Sequence, residues 1–369
     1  MNVTKPKRNF EMKIAIALGT RPEIIKMSPV IRALEKRQEN YFVLHTGQHY
    51  SYNLDRVFFE QLKLPQPKYN LEVGSGSHAQ QTGKILIGVE NALQDESPDI
   101  VLVEGDTNSV FASALAAAKV HIKVGHVEAG LRSYDRQMPE EINRILTDHC
   151  SDYLFAPTEK AKTILLGEGI PEEKIFVTGN TIVDAVYQNL GIAGERENTL
   201  GALGLYPKEY FLVTLHRPEN VDNKPRFASI LEGLDKVAAE FHLPLIYSVH
   251  PRSRQRMNRF HLEPKNVRLI EPIDFLGFLQ LESNARLILT DSGGVQEEAC
   301  ILSVPCVTLR DNTERPETLE VGSNILAGAL PDKILSHTGF MLNRENKWNN
   351  PFGDGNAAER IVKIIMEDN

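Results

Sequence analysis

Apolar residues run through this chain in short continuous stretches rather than alternating with polar ones. Lys13–Leu18 (KIAIAL), Tyr41–Thr46 (YFVLHT), Ile100–Glu104 (IVLVE), Ile122–Val127 (IKVGHV), Tyr153–Ala156 (YLFA) and Ile175–Val177 (IFV) form a first set. Tyr210–Leu215 (YFLVTL), Leu245–Val249 (LIYSV), Val267–Ile270 (VRLI), Ala285–Thr290 (ARLILT) and Cys306–Leu309 (CVTL) form a second. A strand covered on both faces loses the period-two alternation, so these runs predict buried parallel strands. Segments with helical spacing lie between them, such as Pro22–Arg37 and Thr107–Lys119. Strand–helix alternation with short connections predicts an α/β protein of doubly wound sheets. Two sets predict two Rossmann-like domains facing a cleft.

The first domain is expected over 12–185, rejoined by a C-terminal helix within 356–369, and the second over 186–355. The polar, Gly-containing stretch Gly191–Lys208 is the expected linker. Ala357–Met366 reads as a helix entered through the turn residues Pro351–Asn356 (PFGDGN). Residues 1–11 (MNVTKPKRNFE) read as a flexible polar tail without the apolar core of a signal peptide, and Met12 is a plausible alternative start.

Composition narrows the function classes. A chain of 369 residues suits two domains. Its net charge of −8 argues against binding nucleic acid or an anionic membrane through the global field. The three cysteines, Cys150, Cys300 and Cys306, show no CxxC spacing, so neither a disulfide framework nor a zinc site is indicated. A reducing cytoplasm is the expected compartment. No run approaches the ~20 apolar residues of a membrane span.

In open parallel sheets, ligands bind beyond the carboxyl ends of the strands. The unusual polar residues fall at those points. The first strand ends in Gly19-Thr20-Arg21-Pro22-Glu23, with Lys26 one turn on. This is either a plain turn with a solvated Arg or a cationic helix start for an anion. It is not GxGxxG, so no nicotinamide or flavin fingerprint is present. Gly74-Ser75-Gly76-Ser77 follows no strong strand and reads as loop. Asp106, in Glu104-Gly105-Asp106-Thr107-Asn108, is either a helix cap or a functional carboxylate. Glu128 directly follows an apolar run, where a carboxylate is costly unless paired or used. Glu140, in Pro139-Glu140-Glu141, is either a match to the helix dipole or a third functional carboxylate. Three carboxylates at strand ends of one sheet point to acid/base chemistry.

The second half ends strands in His216-Arg217-Pro218-Glu219-Asn220 and His250-Pro251-Arg252. Its strongest element is Thr290-Asp291-Ser292-Gly293-Gly294-Val295-Gln296-Glu297-Glu298. The glycines let a diphosphate approach free N–H groups at a helix start, and Glu298 lies within reach of ribose hydroxyls. Arg315, in Arg310-Asp311-Asn312-Thr313-Glu314-Arg315, offers another cation.

GTRPEIIKM, VEGDTNS, GHVEAGLRS, MPEEINR, TLHRPEN, LTDSGGVQEEA and RDNTERPE, in this order, resemble the motifs of the non-hydrolysing UDP-N-acetylglucosamine 2-epimerases. The resemblance runs from Met12 to the last helix. It implies the two-domain fold of the type-B glycosyltransferases, with the last helix packed on the first domain. It also implies interconversion of UDP-N-acetylglucosamine and UDP-N-acetylmannosamine in a homodimer that uses neither cofactor nor metal. Asp106, Glu128, Glu140 and His216 would surround the reacting carbons. Ser292, Gly293 and Gly294 would hold the diphosphate of UDP, with Arg21 and Arg315 beside it and Lys26 and His250 nearby. Glu298 would take the ribose and Phe278 the uracil. Gln48, His49 and Arg217 match an activator site for a second UDP-N-acetylglucosamine, but the segment Leu71–His78 lacks the Arg some members carry there. A glycosyltransferase of the same fold, a hydrolysing 2-epimerase and a non-catalytic nucleotide-sugar sensor are the competing classes. The carboxylate set argues against the first and the last.

Overall fold

A computed structural model describes residues 12–48 and 52–367. The expected 1–11 tail and His49 lie outside the described residues. The chain divides into two compact units: the chain up to Ala185 together with the segment from Phe352 onward, and Val186–Pro351.

The first unit is built on a seven-stranded parallel sheet. In chain order its strands are β1 (Lys13–Leu18), β2 (Asn40–His45), β3 (Tyr69–Asn70), β4 (Ile100–Glu104), β5 (Lys123–Val127), β6 (Tyr153–Ala156) and β7 (Ile175–Val177). They lie in the order β3-β2-β1-β4-β5-β6-β7. The second unit carries six strands: β8 (Phe211–Thr214), β9 (Leu245–Ser248), β10 (Val267–Ile270), β11 (Leu287–Thr290), β12 (Cys306–Thr308) and β13 (Asn324–Leu326). Their order is β10-β9-β8-β11-β12-β13. Every described pairing is parallel, for example Ile16 beside Leu102 and Thr214 beside Thr290. The strand order reverses between β1 and β4 and again between β8 and β11. These are the two topological switch points, where diverging helices leave a crevice at the carboxyl edge.

Apolar side chains from both faces of each sheet make the cores. Phe42, Val101, Val103, Val110 and Val124 pack one face of the first sheet. Phe211, Val213, Phe227, Tyr247 and Leu289 pack one face of the second, and Tyr210, Leu212, Ile246 and Ile288 the other. Burial on both faces explains why the sequence shows continuous apolar runs.

The stretch Gly191–Lys208 is not the boundary between units. The boundary at Ala185 falls inside the helix Thr181–Gly194, which continues through Gly191. The polar stretch folds into the second unit. Asn198 caps the helix Thr199–Leu203, Gln280 Nε2 donates to Ala193 O at 2.6 Å, and Lys208 Nζ donates to the carbonyls of Ser283 and Ala285. Its polarity serves these ties rather than free solvent.

The C-terminal helix Ala357–Glu367 belongs to the first unit and packs on the helix Arg21–Arg37. Asp184 accepts the Ala357 and Ala358 N–H groups at 3.2 and 3.0 Å, supplying the cap of that helix from 173 residues earlier in the chain.

Candidate active site

The first unit gathers polar groups beside its switch point. Gly19 ends β1 where a Cβ would lie 1.9 Å from Ser109 Oγ, so only glycine lets the turn approach the neighbouring helix. The helix Arg21–Arg37 begins there with Pro22 in its first turn. Arg21 stacks over the Phe58 ring, 5.8 Å from its centroid. Lys26 points to carboxylates rather than outward: its Nζ bonds Glu128 Oε2 and stands 3.2 Å from Glu104 Oε1. Glu128 follows β5 in the left-handed region, at φ 68°, and is 9% exposed. Asn180 Nδ2 donates to the same Glu128 oxygen at 3.4 Å.

Asp106 does not cap the helix that follows it. Thr107 does, accepting from Ser109 N and Val110 N. This leaves the Asp106 carboxylate to Arg144, whose guanidinium donates to it at 2.5 Å. The adjacent glutamates at the start of the helix Pro139–Cys150 divide their roles. Glu141 is buried and accepts from Ser133 N, Tyr134 N and Arg144, so it fixes the preceding loop. Burial opposes its ionisation, but these donors hold its carboxyl below the ordinary range. Glu140 is half-buried and has no side-chain partner among the described residues.

In the second unit, an open pocket of about 210 Å³ is lined by Leu215, His216, Ser248, His250, Ser292 and Val295, among others. It sits beside the second switch point. The fully buried Asp291, at the end of β11, organises it. Its carboxylate accepts from His216 N at 3.0 Å, Arg217 N at 3.0 Å and Asn220 Nδ2 at 3.1 Å, and lies 3.2 Å from His216 Nδ1. Burial opposes the charge, but His216 and these donors outweigh it and keep Asp291 below its ordinary value. The His216 and His250 rings lie 5.5 Å apart. Burial, then the neighbouring His216 and Arg252, push His250 down, favouring its neutral imidazole.

Ser292 caps the helix Gly293–Ile301, accepting from Val295 N. A Cβ on Gly293 would meet Glu314 Oε1 at 2.6 Å, whereas one on Gly294 would meet nothing nearer than 4.0 Å. Gly294 therefore leaves the helix amides open to a ligand. Arg315 Nε pairs with Glu297 at 2.8 Å, and Arg217 pairs with Glu314 at 2.9 Å. Phe278 packs partly buried against the core under the helix Phe275–Asn284. Glu298 lies close to the buried Glu282, whose carboxyl is raised by burial and then by Glu298's charge.

The chain matches the family described as UDP-N-acetylglucosamine 2-epimerase over residues 32–366. It is 58% identical over 361 residues to the UDP-N-acetylglucosamine 2-epimerase of Methanocaldococcus jannaschii, covering 96% of this chain and 99% of that one. The chain belongs to the UDP-N-acetylglucosamine 2-epimerase family. A solved structure of the M. jannaschii enzyme in complex with UDP-GlcNAc and UDP superposes with a TM-score of 0.85 at 58% identity, covering 96% of this chain and all of that one. A Pseudomonas aeruginosa relative named UDP-2,3-diacetamido-2,3-dideoxy-D-glucuronate 2-epimerase is 41% identical over 361 residues, covering 96% of this chain and 100% of that one. The protein is thus an epimerase, an enzyme of the isomerase class, on the type-B glycosyltransferase-like fold.

The epimerase holds several buried acids that sequence reasoning passed over: Glu23, Glu104, Asp148, Glu282 and Asp291. Glu104 carried the same signal as Glu128, a carboxylate closing an apolar strand. Asp291, directly after an apolar strand, carried it too, whereas Asp148, within a helix, carried none. Gln48 proves to be an anchor. Its amide oxygen accepts from Ser109 N at 3.0 Å and Ser109 Oγ at 2.7 Å.

Glu23 reaches back to accept from Gly19 N at 2.6 Å and Thr20 Oγ1 at 2.8 Å. Burial pushes it up from 4.5 to about 7, against the pull of Thr20, Thr107 and Gly19. The folded epimerase therefore keeps this proton to higher pH than the unfolded chain does. The contribution to stability is whole below pH 4.5 and is lost as the pH rises to about 7. Between these limits the wild type should lose about 3 kcal/mol relative to Glu23→Gln, in which the group does not titrate. Denaturant unfolding of both proteins at the two pH values measures this, and parallel stability curves would refute it.

Proposed function

We propose that the enzyme interconverts UDP-N-acetylglucosamine and UDP-N-acetylmannosamine by eliminating and re-adding UDP. The observation that carries this reading is the set of carboxylates at the first switch point, Asp106 and Glu128 with Glu140 nearby in sequence, in a family relative of an enzyme solved with UDP-GlcNAc and UDP. The C2 proton of an acetamido sugar has no adjacent carbonyl and is a poor acid. As the C1–O bond to UDP breaks, the departing oxygen keeps the electron pair and positive charge builds at C1, which acidifies C2–H. A carboxylate takes that proton, and the C–H electrons become the C1=C2 bond of 2-acetamidoglucal. Return of a proton to the other face of C2 and of UDP to C1 inverts the centre.

Glu128, Asp106, Glu140 and His216 are the proposed acid/base groups. Ser292, Gly293 and Gly294 receive the diphosphate with Arg21, Lys26, His250 and Arg315 as polar partners, Glu298 takes the ribose and Phe278 the uracil. Gln48, His49 and Arg217 remain the proposed activator contacts, with Gln48 acting through the loop it anchors. The proposal extends to a cytoplasmic homodimer that makes a precursor for surface glycans.

Incubation with UDP-N-acetylglucosamine in D2O, followed by NMR, tests the reaction. The expected result is deuterium at C2 of both UDP-sugars. Release of free N-acetylmannosamine would favour the hydrolysing reaction instead. Exchange only with UDP-2,3-diacetamido-2,3-dideoxy-glucuronate would move the substrate to that of the P. aeruginosa relative, and exchange with neither would refute the chemistry.

A further inference from the structure

We propose that Glu104 is a positioning residue of the acid/base site, holding Glu128 in its reactive placement through Lys26 and a shared hydrogen bond. This rests on the reading of Glu128 as an acid/base group. Glu104 ends β4 and is 1% exposed. Lys26 Nζ stands 3.2 Å from its Oε1 as an ion pair that lacks the alignment of a hydrogen bond. The same ammonium bonds Glu128 Oε2, which places the two carboxyls near enough for one proton to be shared between them. One ammonium thus serves two carboxyls in a largely buried setting.

Two ionised carboxylates this close cannot share one buried counter-charge without cost, and one proton relieves it. Burial raises Glu104 well above its ordinary value. Lys26 opposes that rise, while Glu128 and Glu23 add to it. The proton therefore resides on Glu104, which donates to Glu128 and leaves that group as the ionised base. The trio Glu104, Lys26 and Glu128 is then neutral overall.

Glu23 and Lys26 come from the helix Arg21–Arg37, and Asp106 lies beyond β4 with its charge met by Arg144. His126 on β5 is turned to Asp148 at 2.6 Å and to Gly105 O at 2.8 Å. The helix Asn108–Lys119 presents only the uncharged Asn108 and Ser109 at this end.

The test compares Glu104→Leu, Glu104→Gln and Glu128→Gln, each checked for folding by circular dichroism, in kcat and KM measured across pH. Glu104→Leu removes the donor and should lower kcat about tenfold or more with KM and UDP affinity held, the worth of one charge-assisted hydrogen bond. Glu104→Gln restores a donor that cannot ionise. It should recover part of the lost kcat and move the alkaline limb of the profile by about one pH unit or more. Infrared difference spectra should show a protonated-carboxyl band in the wild type that is missing in Glu104→Gln. A Glu104→Gln profile and spectrum like those of the wild type would overturn the inference, and this variant decides alone if Glu104→Leu does not fold. Loss of turnover in Glu128→Gln alongside that result would leave the site reading standing. Normal turnover in Glu128→Gln would overturn the site reading and the inference together.

Discussion

Glu128→Gln is expected to bind UDP as the wild type does and to turn over about 10²–10⁴-fold more slowly, the usual worth of a general acid or base. The substitution keeps the shape of the side chain and removes its ability to exchange a proton. Three features of the position point to chemistry. A carboxylate follows a strand buried on both faces, where transfer from water is costly. Its backbone occupies the left-handed region at φ 68°, which costs a non-glycine residue of order 1 kcal/mol or more and persists where the surroundings require it. Lys26 and Asn180 orient one oxygen, Oε2. Glutamine keeps an oxygen for these donors, so the fold of both units should be undisturbed. Calorimetry with UDP and an NMR assay of epimerisation separate binding from turnover. Near-normal turnover in a folded variant would remove Glu128 from the reaction.

Asp148→Ala should destabilise the first unit by about 3–5 kcal/mol, the cost of breaking a buried charge pair by deleting one partner. The Asp148 carboxylate accepts from His126 Nδ1 at 2.6 Å and Gly130 N at 3.2 Å, and pairs with Arg132 at 2.7 Å. The Arg132 side chain is 1% exposed, so the deletion leaves a buried guanidinium with Glu168 as its remaining described carboxylate partner. Burial works against the Asp148 charge, but His126 and Arg132 outweigh it and hold the group below 3.8. The stabilisation is therefore complete at neutral pH and fades only as the pH falls below that value. The same network adjoins the proposed acid/base groups. His126 bridges Asp148 to Gly105 O, next to Asp106, and Gly130 follows Glu128 by two residues. Denaturant unfolding should show the loss as an earlier first transition, with reduced turnover in what remains folded. A change below about 1 kcal/mol would contradict the assigned role.

The doubly wound architecture was legible because the core strands are covered on both faces and so must be apolar throughout. The two strands missing from that reading, Tyr69–Asn70 and Asn324–Leu326, are edge strands of two and three residues, too short to leave a pattern. The linker was misread for a related reason. Gly191 and Gly194 look like chain breaks, but tertiary bonds from Gln280 and Lys208 pay for keeping this polar stretch ordered. The candidate site residues stand out in the sequence to the extent that their oddity is local. Glu128 after an apolar run and Ser292-Gly293-Gly294 at a strand-to-helix turn announce themselves within a few residues of chain. What side chains do to one another across the sheet depends on strand order, and no short window carries strand order. Only folding brings β1 beside β4, so that Lys26 meets Glu104, and β5 beside β4, so that it also meets Glu128. The same holds for Asp291, which gathers His216, Arg217 and Asn220 from more than 70 residues away because β8 lies against β11. Composition and local pattern set which residue types stand at the strand ends. The crossovers of the two sheets decide which of them become partners, because a buried charge takes its partner from whatever strand the topology places beside it.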